Sequence, residues 1–203
     1  MSVALFFLTW VAFLVTEFVV TKFPPWGTRE KRDRLSSIVI FGLPALGLGI
    51  VGVSLAFAFP ALARGSQAEP IWYYQFVLGS VNIGVINIIG LALAWGAFPV
   101  RHAAKRALGK FYTINVAILQ DHQLIDSGIY RYVRHPLSLG ILMFYLGLPL
   151  IISSILGLLI VTVPAIIGSF YRIRLEERTL ISRFGEHYLA YAERTARLIP
   201  YIW

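Results

Sequence analysis

Two short clusters in the second half of the chain hold the residue types best suited to chemistry. The first is Gly128-x-Tyr130-x3-Arg134-His135-Pro136-Leu137, with Arg131 inside it. Pro136 suits the first position of a helix, where its missing N–H would have no partner anyway. It also holds the residue before it away from helical geometry. Arg134 and His135 are therefore expected at a helix N-terminus, where unpaired N–H groups and positive potential favour an anionic or polar ligand. The second cluster is Arg172-x3-Glu176-Glu177. On a helix Arg172 and Glu176 share a face. A carboxylate beside a guanidinium suits a ligand that carries both ammonium and carboxylate groups, or two ligands with one group each. Each cluster also has a plain reading: a basic flank that sets membrane topology, and surface ion pairs that contribute little. The chain has no cysteine, which excludes a thiolate nucleophile, a disulfide and a Cys-ligated metal; no metal site is expected.

The elements that must position these residues are apolar. Of 203 residues 58% are hydrophobic and 14% charged, and the mean hydropathy is +0.73, whereas a soluble domain is about one quarter charged. The composition predicts an all-α integral membrane protein forming one unit over 1–203. Apolar runs cover residues 3–20, 38–62, 71 to about 100, 137–152 and 155–171, which predicts about five transmembrane helices. The first three fill the N-terminal half, 1–100. The last two are separated only by Ser153-Ser154, as in a tight helical hairpin. Residues 101–127 read as a polar connection, and 172–203 as an amphipathic helical tail. Gly47-Leu-Gly-Ile-Val-Gly52 matches G-x-G-x-x-G, but a dinucleotide site needs that motif between a strand and a helix. Inside an apolar run its small residues fit close helix approach instead. Asn82 and Asn87 are expected to hydrogen-bond to neighbouring helices, and Glu17 to have a structural role near the interface.

The net charge of +8 lies beside the spans and fits anionic lipid head groups better than nucleic acid. With five spans, seventeen of the eighteen Lys and Arg residues fall on one side. The positive-inside rule then places the N-terminus outside, and both functional clusters and the tail in the cytoplasm.

The two clusters extend into a longer pattern: His122-x-Leu124-x3-Gly128-x-Tyr130-x3-Arg134-His135-Pro136, then Arg172-x3-Glu176-Glu177-x2-Leu180-x3-Phe184-Gly185-x2-Tyr188-x2-Tyr191. From about residue 108 to 200 this resembles the isoprenylcysteine carboxyl methyltransferase family, a group that extends to phospholipid N-methyltransferases. The resemblance implies that residues 101–203 form a cofactor-binding catalytic half. It implies S-adenosyl-L-methionine as methyl donor, with S-adenosyl-L-homocysteine as product, held without a Rossmann domain. By similarity Gly128, Tyr130, Arg134, His135, Pro136 and Leu137 line the cofactor site, with His122 and Leu124 near it. Glu176 and Glu177 contact the cofactor's amino group or position Arg172, and Arg172 holds the acceptor's carboxylate. The implied acceptor is a prenylated or otherwise lipid-like molecule, with membrane lipids as neighbours. Ser138 stands where the family commonly has tyrosine, so that Tyr130 or Tyr145 would have to supply a phenol.

A carboxylate acceptor is already ionised at neutral pH and needs no general base. An amine would need one, and Glu177 or His135 could serve. Three other readings remain: a phospholipid N-methyltransferase; an NADPH-dependent sterol or enone reductase, suggested by the His-Pro element and the aromatic C-terminus; and a non-catalytic scaffold or small transporter. The last predicts polar residues near the membrane midplane, where the sequence offers few.

Overall fold

The computed structural model describes residues 2–20, 46–47, 49, 84–112 and 123–199. Nearly all of 38–62, the first part of 71–100, the basic loop at 22–34, Asn82, His122 and the Glu17 side chain lie outside that description. Among the described residues the regular structure is helical, and its one strand-like feature is an isolated parallel bridge between Val133 and Ala196.

Five helices carry the architecture: α1 (Ser2–Val20), α2 (Val85–Leu108), α3 (Pro136–Ile151), α4 (Ile155–Phe184) and α5 (Glu186–Glu193). A π-helical turn at Leu158–Thr162 interrupts α4, and the Thr162 hydroxyl donates to the Tyr145 carbonyl of α3 at 2.8 Å. Helices α2 and α4 are long and apolar enough to cross a membrane. Their outer faces carry Val85, Ile86, Ile88, Ile89 and Trp95 on α2, and Leu159, Val163 and Ile167 on α4, all exposed. So large an apolar exterior is rare on a protein solvated by water and fits a hydrocarbon solvent. At 16 residues α3 is about 24 Å long at ~1.5 Å per residue, and most of its side chains are buried in the protein.

Small residues let α2 and α3 touch backbone to backbone. A Cβ on Gly147 would sit 2.6 Å from the Ala94 nitrogen and 2.6 Å from the Gly90 carbonyl oxygen, and one on Gly90 would sit 2.6 Å from the Ile151 nitrogen. Without a strong hydrophobic drive between helices in lipid, such close packing supplies much of the association energy. Around this seam Phe13 of α1 stacks on Phe144 of α3 with centroids 3.7 Å apart, and Phe98 of α2 meets Phe13 edge-on at 6.0 Å.

The hairpin expected at Ser153-Ser154 forms. Ser153 takes φ +53°, and the Ser154 hydroxyl caps the next helix by accepting from the Gly157 amide at 3.0 Å. Asn87 closes the turn from the side, donating to the Ile151 carbonyl at 2.8 Å and the Ser153 hydroxyl at 2.9 Å. It thereby satisfies orphan groups at the end of α3, the helix-to-helix role its sequence position suggested.

Two boundaries differ from expectation. The region read as a polar connection from Arg101 begins as helix, because α2 continues to Leu108 and stops only where Gly109 takes φ +52°. The tail likewise starts inside α4, which runs unbroken past Tyr171 to Phe184 and stops at Gly185, φ +52°. A change from apolar to charged side chains does not interrupt backbone hydrogen bonding; a left-handed glycine does. As a result Arg172, Glu176 and Glu177 ride on the rigid continuation of a span.

Candidate active site

The site forms where the start of α3 meets the polar end of α4. The chain approaches through a 3₁₀ turn, Gly128–Arg131, which opens with Gly128 at φ +61°. His135 is the N-cap of α3 and Pro136 its first residue, as the sequence predicts. The His135 carbonyl accepts from the Leu139 amide at 3.0 Å, so the imidazole is fixed by the helix start.

That imidazole does not stand open at the helix entrance. It is 4% exposed and clamped between two carboxylates: Nδ1 lies 3.3 Å from Glu176 Oε2, and Nε2 lies 3.3 Å from Glu177 Oε1. Neighbouring helix residues diverge by about 100°, and the two opposed ring nitrogens bridge that divergence. Burial alone would lower the His135 pKa, but hydrogen bonding and attraction from Glu176 and Glu177 outweigh it and raise it above the ordinary value. With a carboxylate at each nitrogen, the protonated ring can donate to both.

Glu177 is the most heavily paired anion described. Arg197 grips it as a fork, Nε to Oε1 and Nη2 to Oε2, both at 3.0 Å. Arg134 Nε approaches Oε1 at 3.5 Å. Burial pushes the carboxyl pKa up, but bonds from His135 and Arg197 carry it down to about 2. Glu176 is likewise held below its ordinary value; burial opposes this, and the His135 hydrogen bond and the nearby charges of His135 and Arg172 prevail. Neither carboxylate is a useful base at neutral pH.

Four buried polar atoms near this end of the protein lack a hydrogen-bond partner among the described residues: Arg134 Nε, Arg172 Nη1, Ser169 Oγ and Tyr188 Oη. Arg172 is only 9% exposed. Buried donors are ordinarily paired, and an unpaired guanidinium nitrogen is especially costly, so these atoms are candidates for contact with a polar ligand.

The remaining anticipated residues divide. Gly128 shapes the turn, Tyr130 is buried beneath it, and the Leu137 carbonyl accepts from Arg101 Nη1 at 3.0 Å. Leu124 lies half-buried in the irregular segment before the turn, and His122 falls outside the described residues. Arg134 is a structural clasp, since its Nη1 donates to the Ala192 and Thr195 carbonyls at the end of α5. The glutamate pair, expected to contact cofactor or position Arg172, also engages His135 through both members, and the Arg172 charge acts on Glu176. Ser138 is buried on α3, and Tyr145 lies deeper, against Phe144 in the aromatic core. Sequence reasoning missed Arg197, whose partner is twenty residues away on another element.

Beside the start of α3, α1 and α2 form a cleft of about 270 Å³. Phe13, Phe98 and Pro99 give it apolar walls, and Arg101, His102 and Lys105 a basic end.

A family model described as phospholipid methyltransferase matches residues 85–187, the span from α2 to the start of α5. The chain belongs to that family. Its relatives include protein-S-isoprenylcysteine O-methyltransferases. One from Schizosaccharomyces pombe is 34% identical over 85 residues, covering 41% of this chain and 35% of the relative. Isoform B from Arabidopsis thaliana is 26% identical over 174 residues, covering 84% of this chain and 86% of the relative. The chain thus spans about a third of the length of the fission yeast relative. A solved eukaryotic intramembrane Ras methyltransferase, an isoprenylcysteine carboxyl methyltransferase, shares the fold, with a TM-score of 0.53 and 22% identity over 82% of this chain and 68% of that one. The resemblance read from the two sequence clusters is therefore upheld at the level of family and fold.

Proposed function

We propose that this chain is an S-adenosylmethionine-dependent methyltransferase acting at a membrane surface on an amphiphilic acceptor. The favoured reaction is carboxyl O-methylation of an isoprenylcysteine-like molecule. The observation that carries the reading is Arg172, a buried guanidinium with an unpaired nitrogen on the same helix as the carboxylates that clamp His135.

The residues present fit the cofactor. Glu176, with a third of its side chain exposed, can take an ammonium group; Ser169 and Tyr188 offer unpaired buried hydroxyls. When bound, S-adenosylmethionine supplies a methyl group already activated on a sulfonium. The protein then has to bind, orient and exclude water. The state of the site favours a carboxylate acceptor over an amine. Both ring nitrogens of His135 are engaged by carboxylates and Glu177 is held near pKa 2, so neither is poised to remove an amine's proton. A carboxylate has none to lose. Arg172 would fix it through a planar fork; because such pairing also lowers nucleophilicity, orientation is its main contribution. The cleft of apolar walls and a basic end suits an amphiphile with an anionic head.

The charge distribution supports five spans with the N-terminus outside and the site in the cytoplasm. Isothermal titration of the purified protein with S-adenosylhomocysteine tests the cofactor, and a methyl-label screen over an S-prenyl cysteine, a phosphatidylethanolamine and an alkyl thiol tests the acceptor. Saturable binding with label on the prenyl cysteine is expected. Absence of binding, or label confined to the amine, would overturn the reading.

A further inference from the structure

After α5 the chain doubles back and straps itself across the Arg-His-Pro element. The Ala196 amide donates to the Tyr132 carbonyl at 3.2 Å, the Arg134 amide to the Ala196 carbonyl at 2.8 Å, and the His135 amide to the Arg197 carbonyl at 3.1 Å. Side chains extend this seam. The Tyr191 hydroxyl donates to the Tyr130 carbonyl at 2.8 Å, and Arg194 meets Asp126 at 2.6 Å. Arg134 ties the end of α5 to the same place through the Ala192 and Thr195 carbonyls. The backbone of residue 197 is therefore anchored to the backbone of residue 135, and its side chain reaches across to Glu177 on α4. One residue of the strap touches both halves of the site.

We infer that Arg197 is a positioning residue: the strap at 195–198 delivers its guanidinium to Glu177 and so fixes the carboxylate that, with Glu176, orients His135. The inference rests on the methyltransferase reading and extends it to a part of the chain not assigned to the site by its motifs. Glu177 Oε1 is shared by His135 Nε2, Arg134 Nε and Arg197 Nε, whereas Oε2 is held by Arg197 Nη2. Arg197 is the only group among these contacts that grips both oxygens, so it alone sets the rotation of the carboxyl plane. A lysine would keep the charge and lose the fork. The groups that face Glu177 are His135, Arg134, Arg197 and, through longer-range electrostatics, Tyr188 of α5, with Glu176 beside it on α4. Arg197 is 38% exposed at its side chain, so its removal opens Glu177 to water without leaving a large apolar void.

The test measures S-adenosylhomocysteine affinity from pH 2 to 8 for the wild type, Arg197→Gln and Arg197→Lys, with thermal stability alongside. Loss of a charge-assisted forked bond predicts about tenfold weaker binding for Arg197→Gln at neutral pH. Loss of a nearby cation also raises the pH at which a carboxylate is protonated by about one unit or more, so the acid limb of the affinity profile should move up for Arg197→Gln. Arg197→Lys should keep the limb near its wild-type position while recovering only part of the affinity. Unchanged affinity and profile in Arg197→Gln would overturn the inference and leave a surface ion pair. An equal loss at every pH in both variants, matched by an equal loss of thermal stability, would also overturn it and leave a fold lock. Wild-type protein that binds no S-adenosylhomocysteine would refute the functional reading itself, and this inference with it.

Discussion

Glu177→Gln removes one charge from a cluster in which three cationic groups converge on a single carboxylate. The carboxyl titrates at about 2 instead of its ordinary 4.5, which at ~1.4 kcal/mol per pH unit corresponds to about 3 kcal/mol of stabilisation of the folded state at neutral pH. Because the folded pKa is depressed, that contribution is fully present above about pH 4.5 and is lost as pH falls toward 2. His135 has the opposite sign. Its folded pKa is raised from 6.5, so its contribution is present below that value and fades as pH rises through the folded pKa. The wild type should therefore be most stable between the two limbs. Glu177→Gln should lower the midpoint of thermal unfolding at pH 7 by about 6–12 °C, taking ~2–4 °C per kcal/mol for a chain of this size. It should also flatten the acid limb. The assay is tryptophan fluorescence during heating, in one detergent, at pH steps from 3 to 8. A variant as stable as wild type at pH 7, with the acid limb intact, would refute the picture of Glu177 as the anion that holds His135, Arg134 and Arg197 together.

Two further outcomes follow from the fold. Gly147→Ala places a methyl 2.6 Å from backbone atoms of α2 and should lower thermal stability by roughly 1–3 kcal/mol, the cost of overpacking; an unchanged melting midpoint would mean that the α2–α3 seam is not close-packed. For topology, a cysteine at Ser66 should react with a membrane-impermeant maleimide added outside intact cells, and one at Ser182 only after permeabilisation; the reverse pattern would place the site in the other compartment.

What the sequence disclosed was local chemistry. Pro136 announces the start of α3 because proline fixes its own φ and constrains its neighbour, and Ser153-Ser154 announces the hairpin because it breaks an apolar run between two helices. The polarity changes at Arg101 and Arg172 were misleading as boundaries. Side-chain polarity follows the surrounding solvent, whereas the backbone follows hydrogen bonding, and α2 and α4 both continue into the polar zone until a glycine with positive φ ends them. The contact of the glutamate pair with His135 was not legible either. Helical spacing pairs Glu176 with Arg172 on one face, but the pair closes on His135, which is about forty residues away and approaches from another helix. Arg197 carried no periodic signal at all. Its role depends on a strap whose partners lie 61 to 68 residues earlier and whose register only the folded chain sets.

The most direct test of the central claim is transfer of labelled methyl from S-adenosylmethionine to an S-prenyl cysteine by wild type, Arg172→Lys and Arg174→Lys in the same lipid, with cofactor affinity measured in parallel. Arg172 is buried and Arg174 exposed. If Arg172 grips the acceptor's carboxylate through its planar fork, Arg172→Lys should lose about tenfold or more in turnover while keeping cofactor affinity, and Arg174→Lys should match wild type. Equal turnover in all three would contradict the assignment of the acceptor carboxylate to Arg172.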